Sequence, residues 1–187
     1  MFSEKRITQF TATPFRRDNK RIDGKIIFNY KLGDAQSAGY YRPINLKTIE
    51  EFGDEEQRDL SIAEEALAAL RHDRNDLHLD HILMARCESK DRAVKVFQLY
   101  QQLAPEMSPQ LVYSGSGRIR ENSESLDKLI NRGVNASHIV VCVDMLGEGF
   151  DLPNLKVAAL HDTHKSLAIT LQRWLYRAVS KKFVRAT

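Results

Sequence analysis

The sequence predicts a three-layer α/β domain on a mostly parallel β-sheet, and three observations predict it. Short apolar runs such as His138 to Val143 (HIVVCV) lack polar alternation and read as strands buried on both faces. Between them lie stretches with apolar residues at helical spacing. The two signals alternate at lengths typical of βαβ units, which implies parallel strands covered on both sides from about residue 75 onward.

The elements follow in order. Ile7 to Asp18 (ITQFTATPFRRD) reads as a strand ending at Pro14, which disfavours helix before it and lacks a ladder donor; a basic loop with Arg16, Arg17, Lys20 and Arg21 comes next. Lys25 to Tyr30 (KIIFNY) is β-prone, a Gly- and Tyr-containing connection reaches Arg42-Pro43, and Ile44 to Ile49 is apolar again, so this region reads as a linker with strand pieces. From Asp54 to about Arg74 a charged helix carries Ile62, Ala63, Ala66, Leu67 and Leu70 on one face, with Ser61 and Glu64 offering a capping box. Then come a strand at His81 to Ala85, a helix at Ser89 to Ala104 with Ala93, Val96, Phe97, Tyr100 and Leu103 on one face, and a strand at Leu111 to Tyr113. A helix from about Glu121 to Asn131, ending at Gly133, leads into His138 to Val143; a strand at Val157 to Leu160 and a helix from about Ser166 complete the pattern.

Composition narrows the classes. The 187 residues, 42% of them hydrophobic, make one domain with room for a fragment of another, and exclude a disordered or collagenous chain. No apolar run approaches eighteen residues and MFSEKRITQF lacks a signal-like apolar core, so the expectation is a soluble cytoplasmic protein with no membrane partner. The net charge of +3 is too small to argue for nucleic acid by itself. Cys87 and Cys142 each sit in an apolar run without a Cys-x-x-Cys partner and read as core thiols.

Ligands of parallel sheets bind at the carboxyl ends of the strands. After Val143 the chain reads DMLGEGFDLP, two glycines and three carboxylates in the turn leaving a buried strand. Glycines there admit phosphate or sugar oxygens to the backbone and a carboxylate can accept from ribose hydroxyls; a tight loop with a capped Asp is the other reading, and the residues alone leave both open. Glu148 and Asp151 as a glycosidase-type acid/base pair have no accompanying constellation. His161 and His164, with Asp162 between, lack a third placed ligand for a metal and are expected to be solvated or hydrogen-bonded. Trp174, Tyr176 and Phe183 at helical spacing suit a core, or an exposed truncated face, better than base stacking.

Four stretches, in order, resemble the superfamily 2 helicases and translocases, in particular the DEAD/DEAH-like group that includes restriction-enzyme motor subunits. Thr11-Ala12-Thr13-Pro14 followed by Phe15-Arg16-Arg17 resembles motif III; Ile82 to Cys87 (ILMARC) resembles motif IV; Tyr113-Ser114-Gly115 resembles a short motif used on the nucleic-acid backbone; Val143 to Pro153 is similar to motif V. The resemblance covers the whole chain and implies the end of a first RecA-like lobe and a linker over residues 1–50, then a truncated second, C-terminal RecA-like lobe over residues 51–187. It implies nucleotide contacts from Gly147, Glu148, Gly149 and Asp151, catalytic roles for Gln172 and Arg177, interlobe coupling through Thr11, Ala12 and Thr13, and nucleic-acid contacts from Arg86, Ser114 and Gly115. ATP with Mg²⁺ is then the cofactor of the intact motor, and DNA and a separate N-terminal RecA-like lobe are the partners.

The chain departs from the family in two places. There is no G-x-x-x-x-G-K-[ST] and no acidic tetrad, so the chain alone is expected neither to hydrolyse ATP nor to bind it tightly. The family's Gln-x-x-Gly-Arg-x-x-Arg, which supplies arginine fingers, is replaced by Gln172-Arg173-Trp174-Leu175-Tyr176-Arg177-Ala178-Val179-Ser180. Either this tail is not a working finger or the sequence after Gln172 is not the native one. The resulting reading is the C-terminal lobe of an ATP-dependent nucleic-acid helicase or DNA translocase; the alternative is a stand-alone degenerate RecA-like module that binds nucleic acid or a protein.

Overall fold

In the computed structural model the described residues are 8, 25–40, 45–49, 53–115, 117–143, 152–162 and 182–186, with Leu32 and the last segment described in backbone only. Six strands form one sheet: β1 (Asn45–Ile49), β2 (Ile82–Arg86), β3 (Gln110–Tyr113), β4 (Ile139–Val143), β5 (Leu155–Leu160) and β6 (Lys182–Ala186). Their order is β1-β6-β5-β2-β4-β3 and every pairing is parallel. Helices α1 (Leu32–Ser37), α2 (Glu55–Arg71), α3 (Lys90–Leu103) and α4 (Ile119–Ile130) complete the described elements, with one π-helical turn at His72–Asp76 and a short 3-10 turn at Pro105–Met107.

The expected three layers are present because the central strands are apolar on both faces. Leu83, Ala85, Ile139, Val141, Val157 and Ala159 pack with α2 and α3 on one side, while Ile82, Met84, Val112, Val140 and Ala158 pack on the other with Leu129 of α4. The period-2 alternation of Cβ directions sends neighbouring residues of one strand to opposite layers, so each strand needs an apolar residue at every position. Cys87 and Cys142 are buried in this core and are not joined in a disulfide.

Several elements differ from the sequence expectation. Lys25 to Tyr30 forms no strand: it is exposed and pairs with no strand among the described residues, and Phe28 and Tyr30 stack on each other, at 6.3 Å between ring centroids. The connection after it contains α1, too short to show a helical period. Helix α2 starts at the expected Asp54, but its capping box is not Ser61/Glu64. Asp54 accepts from the Gln57 backbone N–H at 2.9 Å and Gln57 Oε1 accepts from the Asp54 N–H at 3.1 Å, so the box is Asp54/Gln57 and Ser61 lies inside the helix. Phe183, read as one of a helical set, is in β6. The stretches expected as a strand at Ile7 to Asp18 and a helix from about Ser166 lie outside the described residues.

A charged clamp closes the amino ends of the strands. Asp80 is held by Arg74 at 2.8 Å and by a close ion pair with Arg132, which also donates to the Ser137 carbonyl at 2.7 Å. The Arg132 hydrogen bond, against the opposing cost of burial, holds the Asp80 carboxyl well below the usual carboxylate range. His138, entering β4, accepts from Arg132 at Nδ1 over 2.7 Å. Burial and the nearby Arg74 and Arg132 charges lower its pKa to about 4 from 6.5. The unfolded imidazole therefore binds a proton over the window in which the folded one does not, so the stability from a neutral His138 is complete above pH 6.5 and is lost as pH falls toward 4. Urea unfolding between pH 7.5 and 4 checks this: His138→Gln is expected to remove this part of the pH slope.

Candidate functional site

The carboxyl edge of the sheet is where the sequence places the chemistry. Arg86 is the last residue of β2 and half-buried; Ser114 and Gly115 leave β3 and are exposed. Strand β4 lies between β2 and β3, so the two ends are on one edge, two strand spacings or about 10 Å apart. The turn after β3 continues to Gly117, whose φ of 81° is left-handed and free of Cβ strain only for glycine, and then starts α4. Among the sequence-derived site residues, Arg86, Ser114 and Gly115 share this edge. Thr11, Ala12, Thr13, Gly147, Glu148, Gly149, Asp151, Gln172 and Arg177 lie outside the described residues; β4 ends at this edge with Val143.

Two features of this edge were not foreseen. The first is the setting of Tyr113: Lys90 Nζ lies 5.2 Å and the Arg118 guanidinium 4.5 Å from its ring centroid. The ring gathers two cations beside Ser114 and Gly115, an attraction of about 0.5–1 kcal/mol each at exposed sites. Arg118 is further held by Glu121 and by the Leu111 carbonyl at 3.3 Å.

The second is a buried polar network centred on Arg92 of α3. Its five N–H donors meet five acceptors. Nη1 reaches Asp59 Oδ2 at 2.7 Å and Glu55 Oε1 at 2.8 Å; Nη2 reaches Asp59 Oδ1 at 3.0 Å and the His161 carbonyl at 2.9 Å; Nε reaches Asp162 Oδ1 at 3.3 Å. Asp59 also accepts from His161 Nδ1 at 2.9 Å, and His161 Nε2 meets the Tyr100 hydroxyl at 3.2 Å. Burial opposes the charge on Asp59, yet hydrogen bonds from His161 and Arg92 outweigh it and keep its pKa below the ordinary carboxylate value. Burial also pushes the Tyr100 phenol well up, so it remains a neutral hydroxyl. Thus His161 is hydrogen-bonded through both nitrogens, as one of its sequence readings held. Asp59 did carry a signal: it continues the α2 stripe of Ile62, Ala63, Ala66 and Leu67 one turn earlier, and a carboxylate on a core stripe requires a partner.

No family model and no curated protein sequence matches the chain. Solved structures do. A fragment of a putative HsdR subunit of a type I restriction enzyme from Vibrio vulnificus YJ016 matches 94% of this chain at TM-score 0.62 and 18% identity, this chain spanning 38% of it. Domain 2 of the DEAD-box helicase Mss116p, bound to an RNA duplex, matches 76% at TM-score 0.58 and 12% identity, with 53% of that chain covered. The helicase domain of Hef from Pyrococcus furiosus matches 70% at TM-score 0.52 and 14% identity, with 26% of it covered. The chain therefore spans about half or less of these proteins. Among the described residues no helix is long and apolar enough to cross a membrane. The all-parallel sheet, its two helical layers and these likenesses together give the chain a RecA-like α/β fold.

Proposed function

We propose that this chain is the C-terminal lobe of a cytoplasmic ATP-dependent helicase or translocase that works on DNA. The observation that carries this is the placement of Arg86, Ser114 and Gly115 on one edge of a helicase-type sheet, beside the exit of β4 toward Gly147, Glu148, Gly149 and Asp151. Small hydroxyl and backbone donors with an adjacent cation suit the phosphates of one strand, and Lys90 and Arg118 add positive charge there. In the assembled motor ATP with Mg²⁺ supplies the free energy of stepping. Gly149 and Asp151 face the nucleotide, Gln172 and Arg177 approach its phosphates, and Thr11 and Thr13 couple the lobes.

The experiment is reconstitution. Mixing the chain with a helicase N-terminal lobe and single-stranded DNA is expected to produce ATP hydrolysis that neither piece shows alone; no gain at saturating partner and DNA would defeat the reading. Arg86→Ala is expected to weaken DNA binding and to lower the magnitude of the log–log salt slope by about 0.7, one phosphate contact on a single strand. Fluorescence anisotropy across a salt series checks that. A second reading, a free-standing module that binds nucleic acid or a protein without ATP, is favoured by the loss of the Gly-Arg-x-x-Arg pattern after Gln172. Under that reading the salt slope still falls and no ATPase emerges.

A further inference from the structure

The turns that follow β2 and β5 are joined by one carboxylate. Asp162 accepts the Glu88 backbone N–H on Oδ2 and Arg92 Nε–H on Oδ1. Glu88 is two residues beyond Arg86, and Asp162 is two residues beyond the end of β5, on the connection that leads to Gln172. The two turns also meet through the His161 N–H to Arg86 carbonyl bond, at 3.1 Å. Arg92 is in turn fixed by Asp59 of α2 and by the His161 carbonyl, so its guanidinium is a rigid anchor against which Asp162 is set.

We propose that Asp162, anchored by Arg92, is a positioning residue that latches the turn beyond Arg86 to the connection leading toward Gln172, so that nucleic acid bound at one is felt at the other. This rests on the motor reading for its function, though the latch is a property of the isolated chain. Movement of Arg86 as it takes a phosphate pulls on Cys87 and Glu88. The Glu88 N–H then carries that displacement to Asp162, because Arg92 prevents the carboxylate from swinging free. Asparagine at position 162 has one acceptor oxygen, and its amide nitrogen faces one of the two donors, so one half of the latch opens while Arg92 keeps Asp59.

The test uses the full chain, a single-stranded oligonucleotide and Asp162→Asn, with Arg92→Lys as a second variant that keeps the charge. Amide hydrogen exchange is expected to show the oligonucleotide slowing exchange at Glu88, His161 and Asp162 in the wild type, and the slowing at His161 and at position 162 lost in both variants. In the reconstituted motor Asp162→Asn is expected to cut DNA stimulation of ATPase about fivefold or more, the low end of ordinary coupling energies, with DNA-free hydrolysis and the melting midpoint held. An unchanged exchange response in the variants overturns the latch, as does a wild type whose turns do not respond to the oligonucleotide. A parallel fall in melting midpoint, basal and stimulated rates also overturns it, because a merely structural residue does that. If the wild-type mixture shows no ATPase, the motor reading fails separately and the exchange comparison alone decides the latch.

Discussion

Replacing Leu175, Tyr176 and Val179 by Gly, Arg and Arg is expected to raise ATP turnover of the reconstituted motor by about 10³-fold or more, the lower end of what an arginine finger contributes to phosphoryl transfer. The substitutions restore Gln-x-x-Gly-Arg-x-x-Arg from Gln172 without changing the length of the chain. The physical ground is charge: as the γ-phosphoryl group separates, negative charge spreads over its oxygens and the leaving group. A guanidinium held there in a dry cleft lowers the barrier far more than it does in water. Leucine, tyrosine and valine offer no such charge. Steady-state hydrolysis with DNA and the partner lobe at saturation measures the effect, and Arg177→Ala in the unmodified chain is the companion measurement. If Arg177 already serves as the finger, its loss lowers turnover and the triple replacement adds little. No response to either change would mean that this stretch does not face the γ-phosphate, and would favour the binding-module reading.

Arg92→Ala is expected to destabilise the fold by about 3–5 kcal/mol, the cost of leaving a buried carboxylate without its cation. Asp59 would keep only His161, Asp162 would keep only the Glu88 N–H, and the His161 carbonyl would lose its Arg92 donor. For a chain of this size that corresponds to a melting midpoint lower by roughly 6–20 °C. The double variant Arg92→Ala with Asp59→Ala is expected to lose less than the two single losses added, because Asp59 is then no longer left buried without its cation, and only the loss at Asp162 and Glu55 remains. Additive losses would mean that the ion pair is not the source of the effect. Differential scanning calorimetry of the four proteins gives the cycle.

How much of this was legible in the sequence differs by element. The central strands were readable because a strand covered on both faces cannot hide its hydrophobicity, and Ile82 to Arg86 and Ile139 to Val143 carry little else. Helix α3 was readable from Ser89 onward because its cap and its apolar face agree. The start of α2 near Asp54 was readable, but its capping box was not: the Ser61/Glu64 spacing, next to the apolar periodicity that begins at Ile62, imitates a box that Asp54 and Gln57 already provide. Lys25 to Tyr30 has strand propensity without a strand to pair with among the described residues, which no local pattern reveals. The placement of Arg86, Ser114 and Gly115 at the carboxyl edge followed from reading the two runs before them as parallel strands. Arg92 did not, since a charged residue in the first turn of a helix looks solvated until Asp59, thirty-three positions earlier, is known to face it.

The strand order has a consequence for synthesis. β1 touches the rest of the sheet only through β6, Asn45 pairing with Lys182, while β2, β4 and β5 find each other over much shorter loops. On a ribosome the middle of the sheet can close while β1, made first, must wait with its backbone donors and acceptors unpaired until residues 182–186 have emerged. A nascent chain stalled before Lys182 would therefore expose two strand edges that β6 otherwise covers, one on β1 and one on β5, and would be a better substrate for holding chaperones than a chain in which β6 is in place.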